Sequence, residues 1–422
     1  VKVLVLGSGA KDHAIAWMFS KSRRIAGLFC APGNAGTALL GTNLPDINPS
    51  DPESVAKACR KYGISYVFAG TEEPLAAGVP DYLRSLGIAT FGASSVAMKL
   101  DGDRAFARAF SDYYEIPTSK YSSFSSLPDL QKYLDQNKGI RFVIKKNELA
   151  PSRIMLDSSD SDRLLAFAGG LLKDGNIIVE EHLKGMAITL TVLIDEKGYM
   201  LLPVCSDYTK ASEQEQGAAT GSMGSICPVP VLTADLQHHI INHIIKPTVE
   251  GMKKEGMSYK GVLIFSIILT NDGPKLVDYH VRFNDPATQA MAPLIQSDFL
   301  DIIEALQTQN IEDFNLEISN QSSVAVVVAS QGYPENPVIE REVSELPFFS
   351  KNAIVYNSAM LFYGAAQESE NKLITNGGRC FSVVGLGTNI IEANSQAYSY
   401  IKDIRFEGSW YRKDIGNKFF ED

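Results

Sequence analysis

The sequence has no apolar run near the roughly 18 residues that a helix needs to cross a membrane. It also shows no basic, apolar-cored leader at Val1, where a buried strand is expected to start at once. Positive charge is in deficit, with 39 Lys and Arg against 49 Asp and Glu, a net charge of -10 and a pI near 5.2. That balance disfavours a general binder of nucleic acid or membrane surface, while leaving room for a local basic pocket. Cysteine is sparse and unpatterned: Cys30, Cys59, Cys205, Cys227 and Cys380 are odd in number and lack CxxC spacing. Reduced thiols without a zinc site are the expectation, in a cytoplasmic protein. Internal repeats and low-complexity linkers are absent too, so the domains are expected to pack closely.

What is present describes a soluble globular chain: 45% hydrophobic, 21% charged, mean hydropathy -0.04, and a length that suggests about three domains. The first hundred residues alternate strand and helix. A continuous apolar strand over 1–6 runs into Gly7-Ser8-Gly9-Ala10 and a helix carrying His13, Ile15, Ala16 and Met18. Small residues at such a turn let backbone amides and a helix N-terminus approach an anion. The full dinucleotide fingerprint is not met, because residue 12, its third glycine position, is Asp. A strand at 28–30 leads into Pro32-Gly33-Asn34-Ala35-Gly36-Thr37. A helix over 52–62 and a strand over 66–69 lead into Gly70-Thr71-Glu72-Glu73-Pro74. In a parallel βαβ sheet three such turns converge on one edge, where ligands bind.

The texture then changes. A helix is predicted over 101–114, strands over 142–146, 176–183 and 187–195, and a helix over 161–172. A polar loop is expected over 206–225, one long helix over 234–256, strands through GVLIFSIIL and KLVDYHV, a fresh strand from about Ser322, and a helix over 390–404. His239 and His243 stand four apart on the long helix; with no third ligand in the pattern, a solvated face is expected.

In KLVDYHVRFNDPATQ, residues 275–289, strand alternation puts Asp278, His280 and Arg282 on one face. A carboxylate, an imidazole and a guanidinium in register make a poor core and a plausible site for an anion or a metal.

The order of these pieces resembles the phosphoribosylamine-glycine ligase family (glycinamide ribonucleotide synthetase) of the ATP-grasp superfamily, from Val1 to about Lys418. The resemblance is carried by the glycine turn with His13, PGNAGTA at 32–38, Gly70-x-Glu72-x-Pro74-Leu75, FVIK at 142–145 and Thr220-Gly221-x-Met223-Gly224. It continues through Arg282-Phe283-x-Asp285-Pro286-x-Thr288-Gln289, Gly332-Tyr333-Pro334, Thr375-Asn376-Gly377-Gly378-Arg379 and YRKDIG at 411–416. It implies an α/β fold with an N-terminal parallel-sheet domain (1–100), an ATP-grasp lid subdomain with a connecting helix (101–195), a catalytic subdomain (196–321) and a C-terminal α/β domain (322–422). It implies a reaction in which ATP activates glycine as an acyl phosphate that the amine of 5-phosphoribosylamine attacks.

Residue by residue, the resemblance implies substrate contacts at Gly9, Gly33, Asn34, Gly36, Thr37 and Glu72, and catalytic roles for Asp207, Arg282 and Asp285. It implies ATP contacts at Arg104, Lys145, Glu180, Glu181 and Leu183, and a magnesium or manganese site at Asp278 and His280. Its partners would be small molecules, not nucleic acid or membrane, in a monomer or homodimer. The chain departs from the pattern in its nucleotide half. The family's glycine-rich flap is replaced by Lys145–Met155 without a glycine, the acidic pair after Glu180-Glu181 by Met186-Ala187, and the Glu and Asn metal positions by Asp278 and His280. Two further readings follow: an impaired paralogue that binds a phosphoribosyl ligand, or a ligase with another amine and acid pair.

Overall fold

The computed structural model describes residues 1–148, 154–346 and 355–420. The N-terminal sheet is parallel, in the order β3-β2-β1-β4-β5, built from Lys2–Gly7 (β1), Gly27–Pro32 (β2), Thr42–Asn43 (β3), Tyr66–Ala69 (β4) and Ala89–Phe91 (β5). Val3 to Leu6 are fully buried, as a central parallel strand covered on both faces requires. The helix Ala10–Ser20 (α1) follows its glycine turn, and the helix Pro52–Tyr62 is capped by Asp51 and stopped by Gly63 at φ 66.

Two antiparallel sheets form the middle of the chain. The first, in the order β6-β9-β7-β8, contains Tyr121–Phe124 (β6), Phe142–Lys146 (β7), Met155–Ser158 (β8) and Ile177–Glu181 (β9). The second, in the order β11-β10-β16-β17, contains Met186–Ile194 (β10), Tyr199–Leu201 (β11), Gly261–Thr270 (β16) and Gly273–His280 (β17). A β-bulge lies between β16 and β17: Ile267 faces Leu276 and Ser266 faces Asp278, leaving Val277 as the extra residue. Bulges of this kind re-aim side chains beside functional sites.

The polar stretch 206–225, expected as a loop, is mostly sheet. Ser206–Asp207 (β12) and Gly224–Cys227 (β15) flank a hairpin of Lys210–Ser212 (β13) and Gln216–Ala219 (β14). Its serines hid the strands: Ser206 Oγ donates to Ala187 O at 2.8 Å and Ser225 Oγ to Ser206 O at 3.3 Å, so polar side chains are buried with partners. β15 pairs with Ser322–Ala329 (β18), and the C-terminal sheet runs β12-β15-β18-β23-β20-β19. The other strands are Val355–Tyr356 (β19), Ala359–Tyr363 (β20) and Arg379–Gly387 (β23), with a separate hairpin of Ala366–Ser369 (β21) and Lys372–Thr375 (β22).

Three helix expectations are corrected. The helix expected over 101–114 breaks into Lys99–Gly102 and Arg104–Tyr113, because Asp103 leaves the helical region and accepts the Phe106 amide as an N-cap. The long helix carries a π turn at Ile241–Ile245, one residue before Lys246-Pro247, where a proline ring and missing amide disfavour the regular ladder. The helix expected to end at Ile404 ends at Ile401.

The domains are joined by aromatic packing. Phe283 stacks on Phe68 with centroids 5.8 Å apart, and Phe299 meets both Phe19 and Phe68. All four rings are buried, and each contributes on the order of 2 to 3 kcal/mol of burial. Phe283 thereby fixes the backbone next to Arg282.

Candidate active site

Two cavities have residues of β17 in their walls. The larger, about 370 Å³, lies where the N-terminal sheet edge, the middle sheets and the C-terminal domain converge; Lys11, Glu72, Arg104, His280, Arg282 and Arg379 are in its wall. The smaller, about 240 Å³, lies between the two middle sheets, with Lys145, Glu180, Glu181, Leu183, Ala187, Asp207 and Asp278 in its wall. One strand serves both: Asp278 faces the smaller cavity, His280 and Arg282 the larger. The three residues expected on one face therefore do not open onto one cavity, and Arg282 stands beyond the strand's last residue.

A dense charge network is centred on Asp278 and Glu180, in the wall of the smaller cavity. Arg104 donates to Asp278 Oδ1 at 2.6 Å, while Lys145 Nζ stands 3.3 Å from Asp278 Oδ2 and 3.0 Å from Glu180 Oε2. Arg108 Nη2 donates to Glu180 Oε1 at 2.5 Å. Burial pushes the Asp278 carboxyl up, but Lys145 and Arg104 outweigh it and hold the group far below the ordinary range; Glu180 is likewise held low by Lys145 and Arg108 against its burial. Both carboxylates are ionised at neutral pH. Ala187 leaves the wall apolar at its position.

In the larger cavity Arg282 pairs with Glu72, bringing together two of the expected site residues. Asp285 accepts the Lys11 amide at 3.1 Å and lies 3.3 Å from Arg379 Nη1. Gly9 sits beside it, since a Cβ there would stand 3.8 Å from Asp285 Oδ2. His280 Nδ1 lies 3.1 Å from Asp101 Oδ1, whose other oxygen accepts the Val281 amide.

The loop 33–37 is turned inward. Asn34 Oδ1 accepts the amides of Gly36 and Thr37 at 2.8 and 2.9 Å, and Asn34 Nδ2 donates to Ser8 O and Tyr363 O. Thr37 Oγ1 accepts the Asn34 amide and donates to Asn43. Asn34 and Thr37 are buried, and Gly36 is small because the His13 ring lies against it. These residues tie the N-terminal turn to β20 and are not in the wall of either cavity. Asp207, expected near the acid substrate, lies in the between-sheet cavity and accepts from Thr189 Oγ1 at 2.9 Å. Residues 149–153 of the glycine-free stretch lie outside the described residues. His239 and His243 stack at 4.1 Å on the exposed helix face, with His243 Nδ1 near His239 O.

A magnesium ion prefers six oxygen ligands in near-octahedral array. Among the described residues no group of three or more carboxylate, imidazole or thiol side chains could hold a metal ion. Asp278 has both oxygens on cations and His280 presents nitrogen, so this donor set does not fit magnesium.

Several wall residues escaped the motif reading. Lys11 and Asp101 sit beside quoted residues; Arg108 stands behind the wall on Glu180, and the spacing of Arg104 and Arg108, four apart on a helix, was the available signal for the second cation. Arg379 closes a quoted motif and, with four acceptors on one guanidinium nitrogen (Gly221 O, Ser222 O, Asp285 O and Asp285 Oδ1), clamps the 219–223 loop to the site. Tyr333 assists by accepting the Gly221 amide at 3.1 Å.

A parallel-sheet domain, two antiparallel sheets with a charged cavity between them and a C-terminal sheet that lends Arg379 to the neighbouring cavity define the ATP-grasp class. Family models for phosphoribosylglycinamide synthetase match along the chain: the N domain over 1–101, the ATP-grasp (A) domain over 102–288 and the C domain over 323–418. The chain belongs to the phosphoribosylglycinamide synthetase family. It is 34% identical over 426 residues to a phosphoribosylamine-glycine ligase of Neisseria meningitidis, covering 99% of both chains. The phosphoribosylamine-glycine ligase structure from Thermotoga maritima superposes with a TM-score of 0.83 at 27% identity, covering 98% of this chain and all of that one. A biotin carboxylase from Campylobacter jejuni, at 11% identity and a TM-score of 0.73, shares the fold.

Proposed function

We propose that this protein is an ADP-forming carbon-nitrogen ligase that joins glycine to 5-phosphoribosylamine in purine synthesis. The observation that carries the reading is the strand shared by the two cavities. It leads from the pocket between the sheets, where Lys145 suits a nucleotide phosphate, to the three-domain cavity, where Arg282 and Arg379 suit a carboxylate and a sugar phosphate. ATP supplies the phosphoryl group that activates glycine as an acyl phosphate. The amine then forms the C–N bond, phosphate leaves with the C–O electrons, and one amine proton is released.

Lys145 would face the nucleotide phosphates in the pocket that Glu181 and Leu183 also line, and Arg104 would reach them from the wall of the larger cavity. Arg282 and Arg379 would hold the anionic ends of the acid and the sugar phosphate. Glu72, already on Arg282, would release it or accept from the amine. The five cysteines are buried and unpaired, which supports work in a reducing cytoplasm. The test is ADP release measured with ATP, glycine and phosphoribosylamine together and with each omitted. Turnover that needs all three supports the proposal, and turnover indifferent to glycine refutes it.

A further inference from the structure

We infer that this chain holds the phosphate end of its nucleotide with fixed side-chain charge and contributes no ligand to a divalent cation there. The inference rests on the nucleotide reading above and goes beyond it. Three cations (Arg104, Arg108 and Lys145) engage all four oxygens of two carboxylates (Asp278 and Glu180), in a site where Arg108, Lys145 and Glu180 are almost wholly buried. A divalent ion on Asp278 would have to displace Arg104 from one oxygen and Lys145 from the other, and would then stand beside both. Like charges at such separations, with little water between them, repel strongly. The only neighbouring donor of suitable type on the strand is His280, whose Nδ1 is engaged by Asp101 and whose remaining donor is a nitrogen that magnesium seldom accepts.

A phosphate group meets the opposite situation. It competes with Asp278 for Arg104 and Lys145 instead of with those cations for Asp278. Asp278 is then a counter-ion that keeps the two cations in place in the empty pocket. Its removal frees them for the ligand, whereas the removal of a metal ligand weakens the metal-bound complex.

Calorimetric titration of the full chain with ADP, once in EDTA and once in excess magnesium, tests this, with Asp278→Asn as the second protein. The expected result is a Kd in EDTA within about twofold of that in magnesium, and tighter ADP binding by Asp278→Asn, about threefold or more. Magnesium-dependent tightening of tenfold or more, lost in Asp278→Asn, overturns the inference and leaves the ligase reading standing. Failure to bind ADP in either buffer overturns the inference and the nucleotide reading together. Thermal denaturation of Asp278→Asn distinguishes a folding defect from an affinity change. If that variant is unfolded, the two wild-type titrations decide alone.

Discussion

Asp12 and His13 are adjacent, buried and perturbed in opposite senses. Burial pushes the Asp12 carboxyl up to about 6 from 3.8, with Lys11 and the Gly9 amide opposing, and pushes His13 down to about 3 from 6.5. Position 12 defeats the dinucleotide fingerprint for a visible reason: its carboxylate fills the space under Gly7, where a Cβ would clash, and accepts the Gly9 amide at 2.9 Å. His13 is neutral and accepts the Tyr363 amide at 2.9 Å, linking α1 to the C-terminal sheet. For His13, whose folded value is depressed, the stability contribution is complete above pH 6.5 and is lost as pH falls from there toward 3. For Asp12, whose folded value is raised, the contribution is complete below 3.8 and is lost as pH rises through 6. Asp12→Asn is therefore expected to stabilise the protein at pH 7.5 by on the order of 1 to 3 kcal/mol, with the gain vanishing near pH 4. His13→Gln, which keeps an acceptor, is expected to flatten the loss of stability between pH 6.5 and 4. Urea denaturation across that range measures both.

The break at Asp103 controls an element and a site at once. It starts the helix Arg104–Tyr113 so that Arg104, at its first position, turns back to Lys146 O and Asp278. Asp103→Ala should cost about 1 kcal/mol of stability and also weaken ADP binding, because Arg104 is displaced. A denaturation midpoint that falls with ADP affinity unchanged would separate cap from site. At this scale the sequence was a good guide wherever one period ran undisturbed. The helix Pro52–Tyr62 and the strands Tyr66–Ala69 and Phe142–Lys146 stand where periodicity put them. It failed where local chemistry overrode the period. Asp103 capped a helix within an amphipathic run, Pro247 followed a π turn within another, and serines with buried partners masked β12 and β15. The bulge at Val277 left no mark in the sequence, since it depends on the pairing of β16 with β17.

For the whole molecule the decisive contact is Arg379, which reaches from the C-terminal sheet to the 219–223 loop and to Asp285. Arg379→Ala removes the clamp and leaves several carbonyl oxygens without their donor. The expected outcome is a rise of about tenfold or more in KM for the sugar phosphate substrate, and faster hydrogen exchange at Met223 and Gly224. A change in kcat alone would place Arg379 elsewhere in the reaction. The site was legible as a set of residue types along KLVDYHVRFNDP, and as the pairing of Glu72 with Arg282 only in three dimensions. What could not be read was which neighbour each charge would choose: Asp278 with Arg104 and Lys145, His280 with Asp101, Asn34 with its own loop. Those choices depend on contacts more than a hundred residues apart along the chain for Arg104 and Asp278, and for His280 and Asp101.

The strands β12 and β15 precede β18 by about a hundred residues yet complete its sheet. A fragment beginning near residue 322 would lack two of the six strands and present the bare flank of β18 to solvent, a template for self-association. A fragment ending there would carry two orphaned strands. Anyone dissecting this protein by truncation should expect aggregates from both halves, and should test co-expression of the two pieces before concluding that either is inert.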